Sequence, residues 1–263
     1  MTAPVLTLRR GEGDPVFCLP PGTGLGWQYT QLTRHIPGDA PVHAIQSPYI
    51  TGEREVSTDL GELVRRYADL IEATAPGRDY RLVGWSFGGN VAIAAAAELR
   101  ERGHRVPAVV MLDSAAEVPR EYLERAALIT PAAAALLSLG IAVPPAEFDS
   151  LSITDATARV RATETFMSTF DADTIESVIY GSAWSLEVMM HAKYPVFDGD
   201  VLYVRAAGAE AGAQVLSTEA VRQWEPFVGG ELRVIEVQAV HVQMLDRTVV
   251  DAYGPELERE LNR

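Results

Sequence analysis

The sequence predicts a single α/β domain over residues 1–263, and two observations carry that expectation. Short apolar runs recur between stretches of helical periodicity, which is how strands alternating with helices over a mostly parallel sheet look in a sequence. A chain of 263 residues with 48% hydrophobic and 22% charged residues also suits one substantial core and would be cramped as two domains.

Taken in order, the strands fall at 6–9, at 16–18 inside the apolar run "PVFCLPP", at 42–46, at 81–83 in "YRLV", at 108–112 in "AVVML", at 201–205 in "VLYVR" and at 232–237 in "LRVIEV". Helices are expected between them at 28–35, 58–74, 89–102, 218–226 and 249–262. The second of these places Leu60, Leu63, Val64, Tyr67, Leu70 and Ile71 at helical spacing, with Thr58 or Ser57 available to cap its start. Between Asp113 and the strand at 201 the pattern changes to several helices with no convincing strand, among them "TPAAAALL" at 130–137. A connection this long reads as a helical subdomain inserted at 117–198, after the strand ending at Leu112, of the kind that covers a site as a lid.

Composition narrows the function. The net charge of −14, with scattered Lys and Arg, argues against a nucleic-acid partner. A single cysteine, Cys18, excludes an internal disulfide and a cysteine-rich metal site, and it reads as a small buried hydrophobe. There is no apolar run long enough to span a membrane, and the start "MTAPVLTLRRGEG" lacks the apolar core of an export signal, so the expectation is a cytoplasmic protein with no membrane and no metal.

The chemistry is concentrated in "LVGWSFGG" at 82–89, where Ser86 stands between Gly84 and Gly88. A strand-like stretch precedes this pentad and an Ala-rich helical stretch follows it, the setting of a nucleophile elbow. A serine hydroxyl needs a base, and the base needs a third group that holds its tautomer. Of the five histidines, His241 follows the last strand in the loop before the C-terminal helix and is the expected base, with His191 as the alternative. Two carboxylates compete for the third role: Asp113, which directly ends the strand at 108–112, is favoured over Glu210, which lies in an Ala/Gly-rich loop after the next strand. Oxyanion donors are expected from the amide of Phe87, next to the nucleophile, and from "CLPPGTGLGW", where prolines leave Gly22 as the first available N–H and Thr23 behind it.

Taken together, "FCLPPGTGLGWQYTQLTRHI", "VHAIQSP", "YRLVGWSFGGNVAIAAAAEL", "VVMLDS" and "VHVQML" resemble the terminal thioesterase domains of nonribosomal peptide synthetases, over essentially the whole chain outside the lid. The resemblance implies an α/β-hydrolase fold and a triad that carries onto Ser86, Asp113 and His241. Trp85 and Phe87 stand where free-standing editing enzymes resemble "GHSMG", and "LPPGTG" replaces a common "HPAGG"-like loop. The implied substrate is a peptidyl thioester on the phosphopantetheine arm of a carrier protein, tethered in the same synthetase, with no cofactor belonging to the thioesterase itself. Ser86 would become acylated, and water or a nucleophile of the same chain would release a linear or cyclic product. Phe166, Met167, Phe170 and Met190 add apolar surface in the insertion, and Trp85, Tyr180, Trp184 and Met189 are the expected substrate contacts. The competing readings are an editing or small-ester serine hydrolase and a non-catalytic binding protein on the same fold.

Overall fold

The computed structural model describes residues 3–117, 129–163, 166–208 and 221–263. Seven strands, β1 (Val5–Arg9), β2 (Val16–Leu19), β3 (Val42–Ile45), β4 (Arg81–Trp85), β5 (Ala108–Leu112), β6 (Val201–Ala206) and β7 (Leu232–Val237), form one sheet in the order β1-β3-β2-β4-β5-β6-β7. β1 pairs antiparallel with β3, and every other neighbouring pair is parallel. All residues of β2 and β5 are buried, as expected of central parallel strands covered on both faces.

Strand alternation sorts the side chains into two cores. Phe17, Leu19, Leu82, Val109, Met111 and Tyr203 face helices α1 (Leu60–Thr74) and α2 (Phe87–Glu101). Cys18, Val83, Val110, Leu112, Leu202 and Val204 face the other way, toward the C-terminal helix. The cap of α1 differs from the expectation: Asp59 accepts from the Glu62 N–H at 2.8 Å, while the Ser57 hydroxyl accepts from the Asp59 N–H one step earlier. The segment expected as a helix at 28–35 is a 3-10 helix, Gly26–His35.

Between β5 and β6 lie α3 (Pro131–Ser138), α4 (Ile153–Arg161) and α5 (Ala172–His191), and the described residues of this stretch contain no strand. Their starts are capped by Thr130, Ser152 and Asp171, each accepting from an amide three residues on. Leu136, Val160, Ile175 and Ile179 form a third core together with Leu25 from the loop after β2. The expected helix at 218–226 falls partly outside the described residues; from Val221 onward it is one short helical turn and a 3-10 turn at Glu225–Phe227. The last helix, α6 (Arg247–Leu261), packs on the second core. No helix among the described residues is long and apolar enough to cross a membrane.

Cys18 is wholly buried in β2, and burial pushes its thiol well above the usual cysteine range. A disulfide reagent such as dithionitrobenzoate is therefore expected to find no reactive thiol in the folded protein and one after denaturation; rapid labelling of the native state would contradict this packing.

Candidate active site

Ser86 occupies a one-residue turn. β4 continues to Trp85 and α2 starts at Phe87, tighter than the expected gap between 83 and 89, and Ser86 sits at φ 56°, ψ −126°. Such a backbone costs about 1–3 kcal/mol and persists only where its surroundings enforce it. The flanking glycines show how tight the turn is: a Cβ on Gly84 would lie 2.0 Å from the Gly88 carbonyl oxygen, and one on Gly88 would lie 2.5 Å from the Leu19 oxygen. A Cβ on Gly89 would lie 2.0 Å from the Ser114 hydroxyl.

Two hydrogen bonds hold the turn from outside. The Ser86 N–H donates to the Leu112 carbonyl at 2.9 Å, tying the nucleophile's backbone to the end of β5. Tyr29, fully buried, donates its hydroxyl to the Leu19 carbonyl at 2.6 Å and accepts from the Trp85 N–H at 2.8 Å, joining the ends of β2 and β4. Burial raises the Tyr29 phenol well above its usual range and keeps it a donor. Both partners lie on other elements, so the local sequence marks Tyr29 only as part of a helical stretch.

His241 opens a 3-10 turn after β7. Its Nε2 lies 3.0 Å from the Ser86 Oγ and its Nδ1 lies 2.7 Å from the Asp113 Oδ2. An ionised Asp113 can only accept, so Nδ1 carries the hydrogen and Nε2 is free to accept the serine proton. Asp113 is 1% exposed; its Oδ1 accepts from the Ala206 N–H at 3.0 Å, and its own N–H donates to the Val204 carbonyl at 2.8 Å. It too adopts a left-handed backbone, φ 48°, and with Ser86 it is one of two non-glycine residues with positive φ among those described. Behind it the Ser114 carbonyl accepts from the Tyr203 hydroxyl at 2.6 Å and the Trp224 indole at 2.8 Å. The competing acid, Glu210, lies outside the described residues, and the competing base, His191, is an exposed residue at the far end of α5.

The Phe87 amide opens α2 and so has no intrahelical acceptor. Neither it nor the Gly22 amide has a hydrogen-bond partner among the described residues. Gly22 sits in a turn closed by the Gly24 N–H donating to the Pro21 carbonyl at 2.8 Å, at the end of β2 beside β4. Among the described residues no cluster of three or more His, Cys, Asp or Glu is placed to hold a metal.

The expected substrate contacts divide. Trp85 turns into the second core, 7% exposed, where its indole N–H donates to the His241 carbonyl at 3.2 Å, so it braces the histidine turn from below. Period-two alternation from Val83 signals that direction once β4 is extended to 85. Trp184, 4% exposed, packs its ring 5.9 Å from Phe87 and donates to the Ser57 carbonyl at 3.0 Å. Tyr180 is exposed and Met189 half-buried. Met167 and Phe170 join the third core, Met190 is exposed, and the side chain of Phe166 lies outside those described.

Tyr29→Phe removes one hydroxyl that serves two buried backbone groups and is expected to lower unfolding free energy by about 1–3 kcal/mol. Urea denaturation measures this; an unchanged midpoint would mean that Tyr29 does not brace the turn.

A profile of the thioesterase domain family matches residues 14–255. The chain is 27% identical over 241 residues to malpibaldin synthetase of Mortierella alpina, covering 89% of this chain and 4% of that protein. It is 27% identical over 239 residues to a dimodular nonribosomal peptide synthase of Bacillus subtilis, covering 88% of this chain and 10% of that one. It therefore spans a tenth or less of these relatives' length. Among solved structures, a four-domain nonribosomal peptide synthetase bound to AMP and glycine superposes with a TM-score of 0.80 at 21% identity, over 98% of this chain and 20% of that one. The Vlm2 thioesterase domain with a bound dodecadepsipeptide superposes with a TM-score of 0.73 at 22% identity, over 99% of this chain and 98% of that one. The fold they share is the α/β-hydrolase fold.

Proposed function

The chain belongs to the thioesterase domain family, and we propose that it releases a peptidyl chain from the phosphopantetheine thioester of a carrier protein through an acyl-enzyme on Ser86. The observation that carries this reading is the placement of His241, with one ring nitrogen 3.0 Å from the Ser86 oxygen and the other 2.7 Å from the buried Asp113.

In the first half-reaction the Ser86 Oγ attacks the thioester carbonyl carbon while His241 Nε2 takes the hydroxyl proton. Asp113 holds the imidazole's orientation and stabilises the imidazolium that forms. The carbonyl oxygen, now negative, is received by the amides of Phe87 and Gly22, and the start of α2 favours negative charge there. Collapse breaks the carbon–sulfur bond, and the pantetheine sulfur leaves with the proton from His241. His241 then accepts a proton from water, or from an amine or hydroxyl of the same acyl chain, whose attack releases a linear acid or a ring and returns the proton to Ser86. Ring closure outruns hydrolysis when the chain is held folded over the ester at high effective molarity and water is kept out. The exposed Tyr180 and Met190 and the half-buried Met189 on α5 are the apolar surface that supports such folding. The chain's net charge of −14 gives no long-range attraction for an acidic carrier domain, and recruitment would then depend on tethering, which supplies the effective concentration.

The test is intact-protein mass spectrometry after incubation with peptidyl N-acetylcysteamine thioesters, with proteolytic mapping of the adduct and analysis of the released product. An adduct on Ser86 that is absent in Ser86→Ala is expected, together with a preference for peptidyl thioesters over short aryl esters. The reverse preference would favour a small-ester hydrolase, and no adduct at all would favour a binding protein. Asp113→Asn is expected to lower turnover by about 10³–10⁴-fold, as loss of the orienting carboxylate does in triads of this kind. Glu210→Gln should leave it nearly unchanged; if the larger loss falls on Glu210→Gln, the acid comes from the loop after β6.

A further inference from the structure

Helix α5 touches the site at two consecutive residues. The ring of Trp184 meets that of Phe87 edge to face, with centroids 5.9 Å apart and planes at 78°, and Trp184 is itself fixed by its bond to the Ser57 carbonyl and by Tyr49, whose ring lies 5.8 Å away. The next residue, Ser185, is 5% exposed and donates its hydroxyl to the Ser182 carbonyl inside the helix, which locks its rotamer. That locked oxygen stands 3.2 Å from where a Cβ on Gly22 would be. One turn earlier, Gly181 lies against Tyr49 and Ser47, so the same face of α5 stays close to the loops after β2 and β3.

Phe87 opens α2 just after the end of β4 and Gly22 lies in the loop after β2, and their amides have no hydrogen-bond partner among the described residues. Tyr29 ties the ends of β2 and β4 at Leu19 and Trp85, but Gly22 lies beyond that tie, and no hydrogen bond of its amide sets its distance from the Phe87 N–H to the tolerance that oxyanion stabilisation requires. A rigid element in contact with both can set it. We propose that α5 positions the oxyanion site, with Trp184 fixing Phe87 and Ser185 fixing the Gly22 loop. This rests on the acyl-enzyme reading above and makes Trp184 and Ser185 positioning residues that act through other groups. It also means that a shift of the inserted helices moves both donors together, so occupancy of the α5 surface by the acyl chain is felt at the reacting carbonyl.

Gly22→Ala tests this directly, because Gly22 is not in a left-handed conformation and alanine keeps its N–H while pressing a methyl group on the Ser185 oxygen. With a peptidyl N-acetylcysteamine thioester, kcat is expected to fall about tenfold while KM stays within about twofold, the signature of an interaction made in the transition state. Inhibition by a peptidyl boronic acid, whose tetrahedral adduct on Ser86 puts an oxygen in the same place, should weaken in the same proportion. Adding Ser185→Ala removes the crowding oxygen and is expected to restore both. Trp184→Leu should give the same kcat-only loss, and Trp184→Phe, which keeps a ring against Phe87, should retain most of the rate. No recovery in the Gly22→Ala, Ser185→Ala double variant would overturn the proposal, as would a raised KM at unchanged kcat in Trp184→Leu, which would make Trp184 a substrate contact. If Trp184→Leu does not fold, the double-variant comparison decides alone. Wild-type protein that forms no Ser86 adduct overturns the acyl-enzyme reading itself and is measured first.

Discussion

The turn at Ser86 must pass from strand to helix within one residue, and the geometry around it follows from that constraint. A left-handed serine is unfavourable by itself and survives because its neighbours leave no alternative. Gly84 has no room for a Cβ against the Gly88 carbonyl, and Gly88 has none against the Leu19 carbonyl at the end of β2. Tyr29 then bonds the ends of β2 and β4, and the Leu112 carbonyl holds the Ser86 amide from the other side. The serine oxygen is thus presented by a closely packed sheet edge, which is how a strained turn keeps one orientation.

Asp113 is the electrostatic counterpart of that turn. A buried carboxylate is tolerated only when its oxygens have donors. Here one oxygen takes the Ala206 amide and the other takes His241. The charge therefore links β5, β6 and the turn after β7, while Ser86 enters from β4, so neighbouring parallel strands of one sheet each deliver a group to the same edge. Parallel strands bring this about because all their C-terminal ends lie on one side, where loops converge. Trp85 and the Ser114 carbonyl act beneath this edge, bracing the histidine turn and the stretch after Asp113.

The helices between β5 and β6 have a core of their own, yet α5 also contributes Trp184 to the main core. A helix shared in this way is held by α1 and α2 at one end and by α3 and α4 at the other. Its exposed and half-buried residues, Tyr180, Met189 and Met190, face a different environment from Trp184, although all belong to one apolar stretch of sequence.

Local physics made much of the protein readable from the chain alone. All seven strands lie within a residue or two of their expected positions, because each is a short apolar run between breakers, and the glycines around Ser86 mark a turn that tolerates no side chain there. The positions of Asp113 and His241 were also legible, since Asp113 directly follows β5 and His241 lies in the turn after β7, and parallel strands bring both to the edge that carries Ser86. What tertiary structure alone decided is the direction and contact of individual side chains. Tyr29 finds its partners across the sheet, Trp85 turns inward to the histidine carbonyl, and Trp184 packs on Phe87 in the main core, apart from the core of the helices between β5 and β6. Periodicity specifies which face of an element is apolar, and only the packing of one element on another determines which residue that face meets.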